Sequence, residues 1–220
     1  MLHFLKLFTA CWLFTFGAPP TQVSSPIGLC DAADGTDKIK WTADDAEEVR
    51  RRVKRACRQE LHASPALCAF YDAVVVRESS GRASRRHTLG KSEFGLGPMG
   101  LNLASHHDKW PGRDEDPAWC TPEASLIVAH AIVWRAVKRY HAESLLDVQA
   151  IYSGRWECNT DAAGVRRCFA DPNERTVSAI CSRMRGRGHS CYSLITPDDL
   201  GKRVQLGNRR AWVERVTRRQ

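Results

Sequence analysis

No two of the nine cysteines in this 220-residue chain stand two to four residues apart, which excludes the usual ligand spacing of a structural zinc site. There is no His-x-x-x-His pair, and the adjacent His106 and His107 cannot point the same way on a helix or strand. No metal site and no cofactor are therefore expected. Strand-like alternation of apolar and polar residues is almost absent, so the body of the protein is expected to be mainly α. The basic C-terminal stretch has few interleaved aromatics beyond Tyr192 and Trp212. Single-stranded nucleic acid would have little to stack on there, and no nucleic-acid partner is expected.

Residues 1–18, MLHFLKLFTACWLFTFGA, hold one lysine in an apolar run that is short for a membrane span and suited to a signal peptide core. Pro19-Pro20 follows directly, so an uncleaved N-terminal anchor stays open beside a cleaved signal. Phe8-Thr9-Ala10 is a poor lipobox for Cys11. Setting Cys11 aside leaves Cys30, Cys57, Cys68, Cys120, Cys158, Cys168, Cys181 and Cys191. An even set in an exported chain is expected to form disulfides in an oxidising, periplasmic or extracellular compartment. The pairing is open, although Cys158 with Cys168 across the turn-like Asn159–Gly164 is the easiest to close.

The formal charge is +8, and residues 1–18 contribute only Lys6, leaving +7. Much of the surplus lies near the C-terminal end, at Arg183, Arg185, Arg187, Lys202, Arg203, Arg209, Arg210, Arg215, Arg218 and Arg219. An exported basic chain is matched to anionic envelope polymers. A solvated helix face would look the same. A monomer is expected.

Helix starts are well marked. Thr42 with Asp45 opens an amphipathic helix to about Leu61, and Ser64-Pro65 opens an apolar one through Leu67, Phe70, Tyr71, Val74 and Val75. Thr121-Pro122 opens the clearest core helix, with His130 on its apolar face as a core histidine. Ser144 opens another that stops at Gly154. Asp171-Pro172 starts a helix to about Arg185, Thr196-Pro197 a shorter piece, and residues 207–217 a last amphipathic one. Residues 19–41 read as a linker. The expected parts are thus 1–18 as signal or anchor, 19–41 as linker, 42–156 as a helical domain, and 157–220 as a basic, cysteine-containing extension packed on it.

Two stretches stand out chemically. Val74-Val75-Val76-Arg77-Glu78-Ser79-Ser80-Gly81 puts Glu78 at the C-terminal end of a buried helix, where the helix dipole and an apolar flank both disfavour the ionised carboxylate. A carboxyl still protonated near neutrality can act as a general acid toward a sugar oxygen. On local sequence alone Glu78 is equally well a first solvated residue after a core helix. In Glu93–Asn102, three glycines and a proline let the backbone approach a ligand closely, as a tight loop between helices also would.

Arg77-Glu78-Ser79-Ser80-Gly81, then Gly97-Pro98-Met99, then Ala150-Ile151-Tyr152-Ser153-Gly154 ending a later helix, resemble in their order the SLT-type lytic transglycosylases of the lysozyme-like superfamily. The resemblance covers roughly residues 43–156. It implies a lysozyme-like helical domain with disulfide-pinned loops, which cleaves the β-1,4 bond between N-acetylmuramic acid and N-acetylglucosamine in peptidoglycan glycan strands. Glu78 would be the lone catalytic acid/base, giving a 1,6-anhydro product, and Ser79, Gly97, Met99 and Tyr152 would line the substrate site. Two positions depart from the family pattern. Gly100 stands where the family has Gln, and Ile151-Tyr152-Ser153 replaces Tyr-Asn-x.

A hydrolase would add a second carboxylate about 5 to 9.5 Å from the first, for which Glu93 and Asp108 are the nearest candidates in sequence. That would make a goose-type lysozyme-like enzyme. An inactive lysozyme-like glycan binder is the alternative from outside enzymology.

Overall fold

The computed structural model describes residues 42–81, 86–88, 94–102, 121–154, 156–171 and 175–204. The N-terminal run, the linker, Cys30, Cys120, Glu93, His106, His107, Asp108 and the 207–217 segment lie outside the described residues.

What is described is mostly helical. Helix α1 (Ala43–Ala56) begins at a reciprocal capping box between Thr42 and Asp45 and runs into one wide π turn, Cys57–Leu61. Helix α2 (Pro65–Ser79) is capped by the Ser64 side chain, which accepts the Leu67 N–H. Three short antiparallel strands follow, β1 (Arg86–Thr88), β2 (Phe94–Leu96) and β3 (Leu101–Asn102). Helix α3 (Pro122–Tyr140) starts at Thr121 with proline in its first turn, and α4 (Leu145–Tyr152) starts at a Ser144–Asp147 capping box. A hairpin of β4 (Trp156–Thr160) and β5 (Arg166–Ala170) leads to α5 (Arg175–Arg185). The Thr196-Pro197 start yields a single 3-10 turn, Asp198–Leu200.

The core sits between α2 and α3. Leu67, Phe70, Tyr71, Val74 and Val75 of α2 and Leu126, Ile127, Ala129 and Val133 of α3 belong to one core cluster, all of them fully buried. Each large side chain in this group stabilises the fold by about 1.5–3 kcal/mol. Helix α1 packs on α2 and α3, α4 on α3 and β5, and α5 on α2 and α4. A buried ion pair ties α1 to the first turn of α3, with Arg52 donating from Nε and Nη2 to the two Glu123 oxygens at 2.8 and 2.6 Å.

Among the described residues three disulfides, Cys57–Cys68, Cys158–Cys168 and Cys181–Cys191, close short loops. Each contributes roughly 2–3 kcal/mol by restricting the unfolded chain. The segment after α5 is bonded into the helical body at several points. The Leu146 N–H donates to Cys191 O, the Ser64 N–H to Asp199 O, and the Lys202 N–H to Leu61 O. No helix among the described residues is long and apolar enough to cross a membrane.

His130 is wholly buried. Its Nδ1 lies 2.8 Å from the Tyr71 hydroxyl, while its Nε2 lies 2.9 Å from Trp134 Nε1 and 3.0 Å from the Lys202 carbonyl oxygen. Burial pulls its pKa down to about 4, against a smaller upward pull from that carbonyl. At neutral pH it is therefore an uncharged core histidine that fastens α2, α3 and the C-terminal segment together.

Candidate functional site

Glu78 stands in the last turn of α2, half-buried. The helix ends just beyond it because Ser80 adopts a left-handed conformation, with φ 55°, and Gly81 follows with φ 83°. A side chain on Gly81 would meet Ala46 of α1 at 2.8 Å, so glycine there lets the chain leave α2 against α1.

The Gly97–Gly100 turn is brought to this helix end by three helices acting on its backbone. From α2, the buried Ser79 hydroxyl lies 3.0 Å from both the Val75 and the Pro98 carbonyl oxygens, and accepts the Gly81 N–H at 3.1 Å. From α3, the buried Ser125 hydroxyl accepts the Met99 N–H at 3.2 Å. From α4, the Tyr152 hydroxyl donates to the Met99 carbonyl at 2.6 Å. The turn also closes on itself, with the Gly100 N–H donating to Gly97 O at 3.1 Å. Met99 is fully buried, as are Ser79 and Gly97, while Tyr152 is half-buried. Ser79 and Met99 thus hold the turn from inside; the half-buried groups at this place are Glu78, Gly100 and Tyr152.

Gly100 lies directly on Glu78. A Cβ added at position 100 would fall 2.8 Å from Glu78 Cβ and 2.9 Å from its Oε2, and the backbone there has φ 59°. Glycine is required on both counts. The glutamine expected at this position in a lytic transglycosylase would here displace the carboxylate. Tyr152 is the third member: desolvation raises its phenol pKa well above the ordinary value, and the Glu78 carboxylate adds to that rise. Glu78, the Gly97–Gly100 turn and Tyr152, separated by up to 74 residues in sequence, are therefore neighbours.

Among the described residues no cluster of three His, Cys, Asp or Glu could hold a metal ion. Comparisons with protein-family models, with curated proteins and with solved structures return no match.

Two residues escape inspection of the sequence. Ser125 is the α3 contact to the turn, and a lone serine inside the apolar Ala124–Ala129 run is its only local signal. Gln149, one helical turn before Tyr152 on α4, is wholly buried with neither amide atom hydrogen-bonded.

Proposed function

We propose that this protein cleaves the β-1,4 bond between N-acetylmuramic acid and N-acetylglucosamine in peptidoglycan by a lytic-transglycosylase-like mechanism, with Glu78 as its single acid/base. The observation that carries the proposal is the meeting of Glu78, Gly100 and Tyr152 on a turn fixed by three helices. A general acid must be held within hydrogen-bonding reach of a leaving oxygen, and a carboxylate wedged against a rigid turn is restrained in that way.

In the proposed reaction the Glu78 carboxyl gives its proton to the glycosidic oxygen as that bond breaks. The carboxylate then removes the proton of the sugar's own 6-hydroxyl, whose oxygen closes on C1. The product is the 1,6-anhydro sugar, Glu78 ends protonated as it began, and no water is consumed. The Tyr152 phenol stays protonated throughout, since desolvation and the neighbouring carboxylate both oppose its ionisation. The three disulfides suit an oxidising compartment, in keeping with an exported protein working in the periplasm or outside the cell.

A zymogram of wild type beside Glu78→Gln tests the activity: wild type is expected to clear peptidoglycan and the variant to lose about a hundredfold or more. Clearing by neither form would leave a glycan binder in place of an enzyme. Mass spectrometry of the released fragments tests the mechanism. Anhydro ends are one water lighter than reducing ends, and a digest containing only reducing ends would replace the single-acid mechanism with hydrolysis.

A further inference from the structure

Asp72, wholly buried on α2, draws three cations to one place. Arg50 of α1 donates to it twice, Nε to Oδ1 at 2.8 Å and Nη2 to Oδ2 at 3.2 Å. Lys54 Nζ lies 3.5 Å from Oδ2, and Arg187, just past α5, pairs with the same oxygen. One carboxylate needs one such partner. Glu47, on Arg50, is the further anion here, and the Arg50, Arg187 and Arg58 charges all press on Lys54.

The excess continues outward. From Arg50 to Arg58 the chain carries six cations and no acid; Arg52 is taken up by Glu123 in the interior, Arg50 by Asp72 and Glu47, and Arg51 by Glu48 at the surface. Arg51, Arg55 and Arg58 are exposed, as are Arg183 and Arg185 near the end of α5. The segment closed by Cys181–Cys191 then runs directly into Tyr192 and Leu194, which are 66% and 77% exposed. Among the described residues these are the large hydrophobic side chains most open to solvent.

We propose that the Arg50–Lys54–Arg187 cluster and Arg58, together with Tyr192 and Leu194, which follow Arg187 by five and seven residues in the chain, dock on an anionic phospholipid bilayer. Clustered cations match an anionic leaflet, and exposed Tyr and Leu suit the boundary between headgroups and acyl chains. A soluble polyanion would engage the cations but give the two apolar side chains nothing to enter. In sequence, α1 is also the first described element after the apolar run 1–18. The docking is independent of Glu78 and of glycan cleavage.

The test is co-sedimentation of the full-length protein with pure phosphatidylcholine vesicles and with vesicles that also contain phosphatidylglycerol. Because the apolar N-terminal run can insert into either, the informative quantity is the difference between the two. Stronger binding to the anionic vesicles, weakening with salt, is expected. Arg58→Gln with Arg187→Gln keeps Arg50 bidentate on Asp72 and should lower the anionic partition roughly thirtyfold. Tyr192→Ser with Leu194→Ser, both at exposed positions, should lower it about tenfold or more on the same vesicles. Equal binding to both vesicle types would overturn the proposal. So would anionic binding that the Tyr192 and Leu194 changes leave intact and inorganic polyphosphate displaces, since the cluster would then be a general polyanion site.

Discussion

Asp72 and Glu78 stand six residues apart on the same helix, in opposite surroundings. Asp72 is sealed in the interior and bonded by Arg50, Lys54 and Arg187, which join α1 and the end of α5 to α2. Glu78 is half-buried at the helix end, pressed by a glycine turn and near the Tyr152 phenol. The first carboxylate joins elements, so its worth is stability. The second packs against the Gly97–Gly100 turn, with Gly100 directly on it. On the proposed reading helix α2 has a structural half and a chemical end, and the two should be separable by mutation.

The largest effect expected is at Asp72. Asp72→Asn removes the charge that offsets three crowded cations, and breaking a buried pair from one side costs about 3–5 kcal/mol. Glu78→Gln keeps the size and shape of the side chain against Gly100 and should cost clearly less stability than Asp72→Asn, while removing peptidoglycan clearing. Urea denaturation of both variants measures the contrast. A Glu78→Gln protein destabilised as much as Asp72→Asn would collapse the distinction between the two carboxylates.

Next comes the histidine packed beside the structural half. The unfolded chain takes up a proton on His130 near pH 6.5, whereas the folded chain resists until about 4 because the ring is buried. The unfolded state therefore binds more protons between these values. Stability from this residue is complete above about pH 6.5 and is lost as pH falls toward 4, about 3 kcal/mol in all. Unfolding free energies at a series of pH values, compared between wild type and His130→Gln, should show a shallower slope for the variant in that interval. An unchanged slope would assign the acid sensitivity to the carboxylates instead.

What could be learned from the sequence follows the range over which each feature is determined. Thr42, Ser64, Thr121 and Ser144 cap their helices through partners three residues on, and such local chemistry is legible. The β4–β5 hairpin carries no clear strand signal in the sequence, because its exposed outer positions and its pairing are settled across the turn. Its Cys158–Cys168 link was the easiest pairing to picture. Asp72 sits unremarked among apolar neighbours, since its partners lie 22 residues upstream and 115 downstream, the latter beyond α5. At the candidate site the order of the three stretches was visible. The departure at Gly100 became intelligible only with Glu78 against it, where glycine is a packing requirement.

Gly100→Ala gives the smallest and most discriminating change. The new methyl group would sit 2.8 Å from Glu78 Cβ on a backbone with φ 59°. The left-handed backbone alone costs an alanine about 1–2 kcal/mol, and the collision must also move the carboxylate or the turn. Gly164→Ala supplies the control, because Gly164 has φ 76° with nothing within 4 Å of its added Cβ. Both variants should show the backbone cost in urea, and Gly100→Ala somewhat more because of the collision. Only Gly100→Ala should also lose clearing activity, by about a hundredfold if Glu78 shifts near 1 Å, and that loss should appear in kcat more than in KM. Equal activity in the two would mean that Glu78 tolerates displacement, which a lone acid/base aimed at one glycosidic oxygen could not.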